Sequence, residues 1–224
     1  MSTARKLIAL LSVSAGAYAV AGRPRMLRWG ASDEEVRGPY PGADLISGGR
    51  RGATMAVTIA AAPSRVWPWL IQMGCDRAGW YSWDRLDNGG VPSAEHIRPE
   101  WQHLSVGDRL ASTPSGSAWF EVAALDPDRF LGLRASINLC RGCSFDTAGP
   151  EPRFYLDSLW GFQLKALPEG RTRLVVSGYS SGRPRFLQAV AEFLFWEPAH
   201  WIMQERQFAN LKARAERRPA ESIG

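Results

Sequence analysis

Apolar and polar positions change period several times along this chain. Residues 54–61, "TMAVTIAA", alternate and are β-branched, which predicts a strand. In "PSRVWPWLIQMG", Val66, Trp69, Leu70 and Met73 recur at i, i+3, i+4 and i+7, which predicts a helix. Trp67 and Ile71 widen its face. Ser64 is expected to cap it, Gly74 to stop it, and Pro68 to fall in or just past the first turn. Residues 75–116 hold no steady period. "SAWFEVAAL" and "RFLGLRA", joined by "DPDR", predict one hairpin; "SLWGFQLKAL" and "RTRLVVSGY", joined by "PEG", predict another. "CRGCSFDTAGPEPRFY" between them reads as a loop. "RFLQAVAEFLFW" is apolar on most faces. Pro198 then starts or kinks a last helix, with a stripe of Trp201, Ile202, Glu205, Phe208, Ala209 and Leu211. Twenty helical residues span about 30 Å, enough to cross a small sheet.

Consecutive strands with segregated helices predict an α+β fold with an antiparallel sheet. The expected organisation is an apolar membrane anchor or signal over 1–22, a linker over 23–53, a domain over 54–217 and a frayed tail over 218–224. The linker is rich in Gly, Pro and charge and is expected to lie over the domain. Within it, "SDEEV" starts a short helix capped by Ser32.

Charge changes the picture at the N-terminus. Five of the 27 basic residues and none of the 22 acidic ones fall within residues 1–30, so the rest of the chain is neutral. A nucleic-acid binder carries its excess on the folded body, and this body has none. The excess instead flanks Leu7–Gly22, sixteen residues without a charge. That run is short for a spanning helix, and "AYA" or "AVA" would suit signal cleavage. The arginines at 23, 25 and 28 favour an uncleaved anchor through residues 7–22 with a cytoplasmic body. Export after signal cleavage is the alternative, and a soluble helix packed on the domain is a third.

Composition adds an unusual count of ten tryptophans. Four of them and a tyrosine lie within residues 67–84. An indole favours half-buried walls over sealed cores.

Four segments together, "VTIAAAPSRVWPWLIQMG", "GWYSWDRLDN", "PEWQHLSVGD" and "EPAHWIMQERQFANLKARAE", resemble the START-like, Bet v 1-like (SRPBCC, polyketide cyclase) superfamily. The likeness is greatest to a bacterial branch that carries "RPRxxRWGA" after an N-terminal apolar segment. It covers about residues 23 to 217. The resemblance implies a helix-grip fold: a seven-stranded sheet wrapped on the C-terminal helix around an apolar cavity. About five strands are readable here, and the others would lie within 97–116 and 136–156.

Candidate ligand contacts follow. Trp69 shares the helix stripe and reads as core. Trp80, Tyr81 and Trp83 follow Gly79 in an aperiodic loop, where rings more often touch ligand. Trp101, Trp119, Trp160, His200 and Trp201 complete the set. An acid/base pair would draw on His96 and Asp84; Glu100 reads as a cap and Asp108 as a turn residue. Cys140 and Cys143 form one CxxC in a loop, far in sequence from Cys75, half of a zinc site at best. They are expected to be plain thiols, or a local disulfide if the chain is exported. Neither a metal nor a cofactor is expected.

Three functions stay open: a binder of a small hydrophobic or amphipathic molecule, a cyclase/dehydratase-type enzyme using the same cavity, or a non-catalytic partner-binding module. A void with few polar atoms marks the binder, convergent polar atoms mark the enzyme, and a filled interior marks the module.

Overall fold

The computed structural model describes residue 16 and residues 18–217. Most of the run 7–22 expected to form an anchor, and the tail 218–224, lie outside them. Among the described residues no helix is long and apolar enough to cross a membrane.

In chain order the elements are a π turn at Tyr18–Gly22, helices α1 (Arg23–Leu27) and α2 (Asp33–Arg37), strands β1 (Arg50–Arg51) and β2 (Met55–Ile59), and helices α3 (Pro63–Ile71) and α4 (Asp84–Asp87). Then come β3 (Arg109–Ala111), β4 (Trp119–Asp126), β5 (Phe130–Asn138), β6 (Cys143–Ser144), β7 (Tyr155–Leu167) and β8 (Arg171–Arg183). Helix α5 (Arg185–Ala191), a π turn (Glu192–Trp196) and α6 (Glu197–Glu216) close the chain.

All strand pairs are antiparallel, in the order β1-β8-β7-β5-β4-β3, with β2 also on β8 and β6 also on β5. The fold is α+β, a curved antiparallel sheet gripping a long C-terminal helix. The resemblance implies seven strands. The structure has eight, because the edge strand is interrupted: β1 and β2 pair with successive stretches of β8, bridged by the Gly52 N–H to the Gly178 carbonyl.

The β7–β8 register sets Phe162 opposite Val176 and Leu164 opposite Leu174. These side chains share the inner face with Leu133 and pack with Val66 and Leu70 of α3 and Phe208 and Leu211 of α6. The outer face is also covered. Tyr40 packs there with Ala56, Phe130 and Val175. Its hydroxyl reaches the carbonyls of Gly161 (2.7 Å) and Val175 (3.1 Å) and accepts from Ser177 N–H (3.2 Å). Arg173 of β8 binds Glu35 with two N–H groups, each at 2.8 Å. Residues 27–29 run beside β2, with the Thr54 and Ala56 N–H groups donating to the Leu27 and Trp29 carbonyls. Gly30 follows at φ 68°, and a Cβ there would sit 2.2 Å from the Ala56 carbonyl oxygen, so only glycine lets the chain lie this close. Ser32 caps α2 in a full capping box with Glu35.

Two local expectations change. Helix α3 starts two residues earlier than a Ser64 cap would place it, with Ala62 at the N-cap and no side-chain cap bond, because Pro63 itself supplies the preset φ of a first helical residue. It ends at Ile71, and Pro68 lies inside it. In α6 the buried face is Gln204, Gln207, Phe208, Leu211, Arg214 and Ala215. Of the expected stripe, Ile202, Glu205 and Ala209 face water. Polar side chains take the buried positions because they hold the irregular segment beneath them.

Candidate functional site

That segment, residues 74–98, is held to the helices largely by amides and one guanidinium. Gln72, fully buried at the end of α3, donates to the Tyr81 hydroxyl (2.6 Å) and accepts from Arg98 N–H (3.0 Å). From α6, Gln207 donates to the Trp80 carbonyl (2.8 Å), Asn210 to that of Tyr81 (2.8 Å), and Arg214 to that of Ala94 (2.9 Å). Tyr81 sits at φ 58°, a strained backbone that persists because its hydroxyl, N–H and carbonyl are all bonded and Arg214 lies 5.0 Å over its ring.

These bonds press Trp80 onto the inner face of the sheet. Trp160 of β7 is the centre of a ring cluster, with centroids 4.7 Å from Phe162, 5.6 Å from Phe120 and 5.7 Å from Trp80. The Trp160 indole N–H donates to Gln204 (3.2 Å), and Gln204 donates to Gln207 (2.8 Å). The first turn of α6 closes the cluster. His200 meets Trp160 edge-on at 6.3 Å, and burial alone pushes its pKa down to about 4. The Trp201 indole N–H is buried with no hydrogen-bond partner among the described residues.

Along this stretch the rings that would line the expected apolar cavity pack on one another, and Phe120, Trp160, His200 and Trp201 are half-buried. Two hollows lie elsewhere. One of about 600 Å³ adjoins the β4–β5 turn beside Asp126, Arg129, Phe130 and Gln163. The other, about 350 Å³, is polar and lies on the outer face between Arg134, Tyr155, Asp157, Ser181 and Arg183.

The candidate residues divide as follows. Trp80, Trp160 and His200 converge at the inner end of the grip, and Trp201 packs at the margin of the core. Trp80 and Tyr81 are buried, Tyr81 completely, so a loop position did not leave them loosely packed. Trp83 is 45% exposed, beneath the Arg206 guanidinium at 5.1 Å. Trp101 packs at the core margin. Trp119 is on the opposite face from the cluster, under Arg109 at 4.7 Å. Asp84 is engaged by the Ser93 hydroxyl (2.6 Å), whereas His96 is exposed. The two do not form the acid/base pair that a catalytic reading needs. Asp108 accepts from Ser105 N–H in its turn, as expected. All three cysteines are free thiols. Among the described residues no group of metal-ligating side chains assembles.

Sequence reasoning missed Gln72, Gln204, Gln207 and Arg214. The only available signal was a polar residue recurring on the core-facing side of a helix.

No family model matches the chain, and no curated protein does. Solved structures similar to it include the hypothetical protein jhp0584 from Helicobacter pylori (15% identity, 73% of this chain and 86% of that one, TM-score 0.47). Others are protein MLL2253 from Mesorhizobium loti (22%, 75% and 99%, 0.38) and CalU16 from Micromonospora echinospora (15%, 75% and 90%, 0.35). The fold assignment rests on the chain's own topology: one curved antiparallel sheet, with its first strands on the edge beside its last, around the C-terminal helix.

Proposed function

We propose that this chain is a non-enzymatic binder of a small apolar or amphipathic molecule, taken up against the ring cluster at the first turn of α6. One observation carries the reading. His200 and Trp201 present an imidazole shifted by burial alone and an unpaired indole N–H beside an aromatic wall. A buried polar group without a partner is rare in native proteins, and a guest bearing a hydroxyl or carbonyl would satisfy the Trp201 N–H. An imidazole that stays neutral down to about pH 4, with burial as the only influence on it, is a weak base. The enzyme reading loses ground for that reason. Binding would be driven by desolvation; covering about 300 Å² of apolar ligand surface stabilises the complex by several kcal/mol before entropic losses.

The packing of the rings on one another favours a second reading, a partner-binding module. The two separate in a titration of the full chain with a neutral fluorescent naphthylamine, read by energy transfer from tryptophan. Saturable micromolar binding, weakened about tenfold (roughly 1.4 kcal/mol) by Trp80→Ala and unchanged by Trp83→Ala, is expected. No saturable binding, or equal loss in both variants, rejects the binder in favour of the module.

A further inference from the structure

Phe186, Val190 and Leu194 recur every four residues through α5 and the π turn, and they are 68%, 53% and 69% exposed. A helix normally turns such a stripe inward; here it faces water. Helix α5 begins where β8 ends, so the stripe lies at one end of the sheet.

The chain's N-terminal helical turns lie against the same segment. Tyr18 donates to the Phe193 carbonyl (3.3 Å) and meets the Phe193 ring at 5.2 Å. Arg23 binds Glu197 through two N–H groups, at 2.6 and 2.7 Å. Val20, 81% exposed, adds to the uncovered apolar surface. Residues 7–17, which lead directly into Tyr18, carry no charge. The basic residues Arg25, Arg183 and Arg185 flank this surface and are exposed. An apolar stripe bordered by arginines and a tyrosine, at the point where an uncharged run enters, has the chemistry of an interfacial helix on an anionic bilayer.

We propose that α5 and the following π turn dock on the surface of an anionic lipid bilayer, with Phe186, Val190 and Leu194 inserted among the headgroups and Arg183 and Arg185 over their phosphates. This contact is distinct from any made by residues 7–22, and it does not depend on the ligand-binding reading.

The test places an environment-sensitive nitrobenzoxadiazole dye on single cysteines of the full chain, in a Cys75→Ser, Cys140→Ser, Cys143→Ser background. One site is Leu194→Cys. The other is Ser64→Cys, exposed at the far end of the sheet. Vesicles are phosphatidylcholine with or without about 30% phosphatidylserine, some carrying nitroxide-labelled acyl chains. The expected result at position 194 is a shift to shorter wavelength, an emission rise of about twofold and nitroxide quenching on anionic vesicles, with weakening at 1 M salt, where screening shortens to about 3 Å. Position 64 should not respond. Aqueous emission at 194 while the chain co-floats with vesicles would overturn the proposal, because residues 7–22 would then be holding the protein alone. Emission already shifted without vesicles, and unchanged by them, would also overturn it, because the stripe would be covered by the chain's own N-terminus or by a second copy.

Discussion

Two half-buried titratable side chains work in opposite directions. His200 is lowered by burial from 6.5 to about 4. Between those values the unfolded chain takes up a proton that the fold refuses, so this group lowers stability as pH falls through that window. Asp87 is raised from 3.8 to about 6, first by burial and then by the neighbouring Asp84 charge, while the Ser82 hydroxyl works the other way. Here the fold holds the proton more tightly, so stability rises as pH falls from about 6 toward 4. The acid limb of the stability curve is the difference of the two. His200→Leu should remove the loss and gain on the parent by about 2 kcal/mol near pH 4.5, with little gain at pH 8. Asp87→Asn should do the reverse, stabilising at pH 8 and giving no advantage at pH 4. Urea midpoints across pH 4–8 decide it, and a His200→Leu profile parallel to the parent's would contradict a buried imidazole.

Between elements, the clearest bond is the one that holds α2 to β8. Arg173 drives the Glu35 carboxyl down to about 2, and both side chains are largely buried. A carboxylate lowered in the fold stabilises it above its ordinary pKa and loses that contribution as pH falls toward 2. Glu35→Gln should therefore cost about 2 kcal/mol at pH 7 and progressively less below pH 4. It should also speed proteolytic cleavage between residues 38 and 50. Unchanged cleavage would mean that Tyr40, Arg51 and Tyr179 hold the segment without the Arg173–Glu35 pair. Much of this level was legible in the sequence. Strands β4, β5, β7 and β8 and helices α2, α3 and α6 announce themselves because each is long enough to show a period, or carries a cap. Strands β1, β3 and β6 have two or three residues, too few for alternation to register. The candidate site was half legible. Trp80, Trp160 and His200 do meet. The residues that bring them together are Gln72, Gln204, Gln207 and Arg214, whose partners are mostly groups lying far away in the sequence. No local pattern encodes that pairing. Tyr81 shows the same limit from the other side: an aperiodic loop reads as surface, yet here its bonds are made inward.

Over the whole molecule the last helix is attached unevenly, and this bears on how a guest could reach the ring cluster. Its C-terminal half is tied at many points. Gln207, Asn210 and Arg214 bind backbone carbonyls of the loop, Lys212 binds the Thr58 carbonyl (3.0 Å), and Glu216 accepts from Ala60 N–H (2.6 Å). Its N-terminal end continues from α5 through a π turn just before Pro198, which lacks the N–H that would extend the α-helical ladder. There the ties among the described residues include Arg23–Glu197, Tyr18–Phe193 and Ser180–Glu192 (3.3 Å). Segments with few buried bonds open at low free energy without global unfolding. Amide exchange in residues 185–200 should therefore run far ahead of exchange in 204–216, by about a hundredfold if the openings differ by about 3 kcal/mol. Removing the Arg23–Glu197 tie with Arg23→Gln should accelerate exchange in 185–200 further and leave the urea midpoint nearly unchanged, because the sheet and the C-terminal half of α6 keep all their bonds. Exchange in 185–200 as slow as in 204–216 would show that the helix opens only with the whole fold. A guest would then meet only the parts of Phe120, Trp160, His200 and Trp201 that are accessible in the closed fold, and the partner-binding reading would gain.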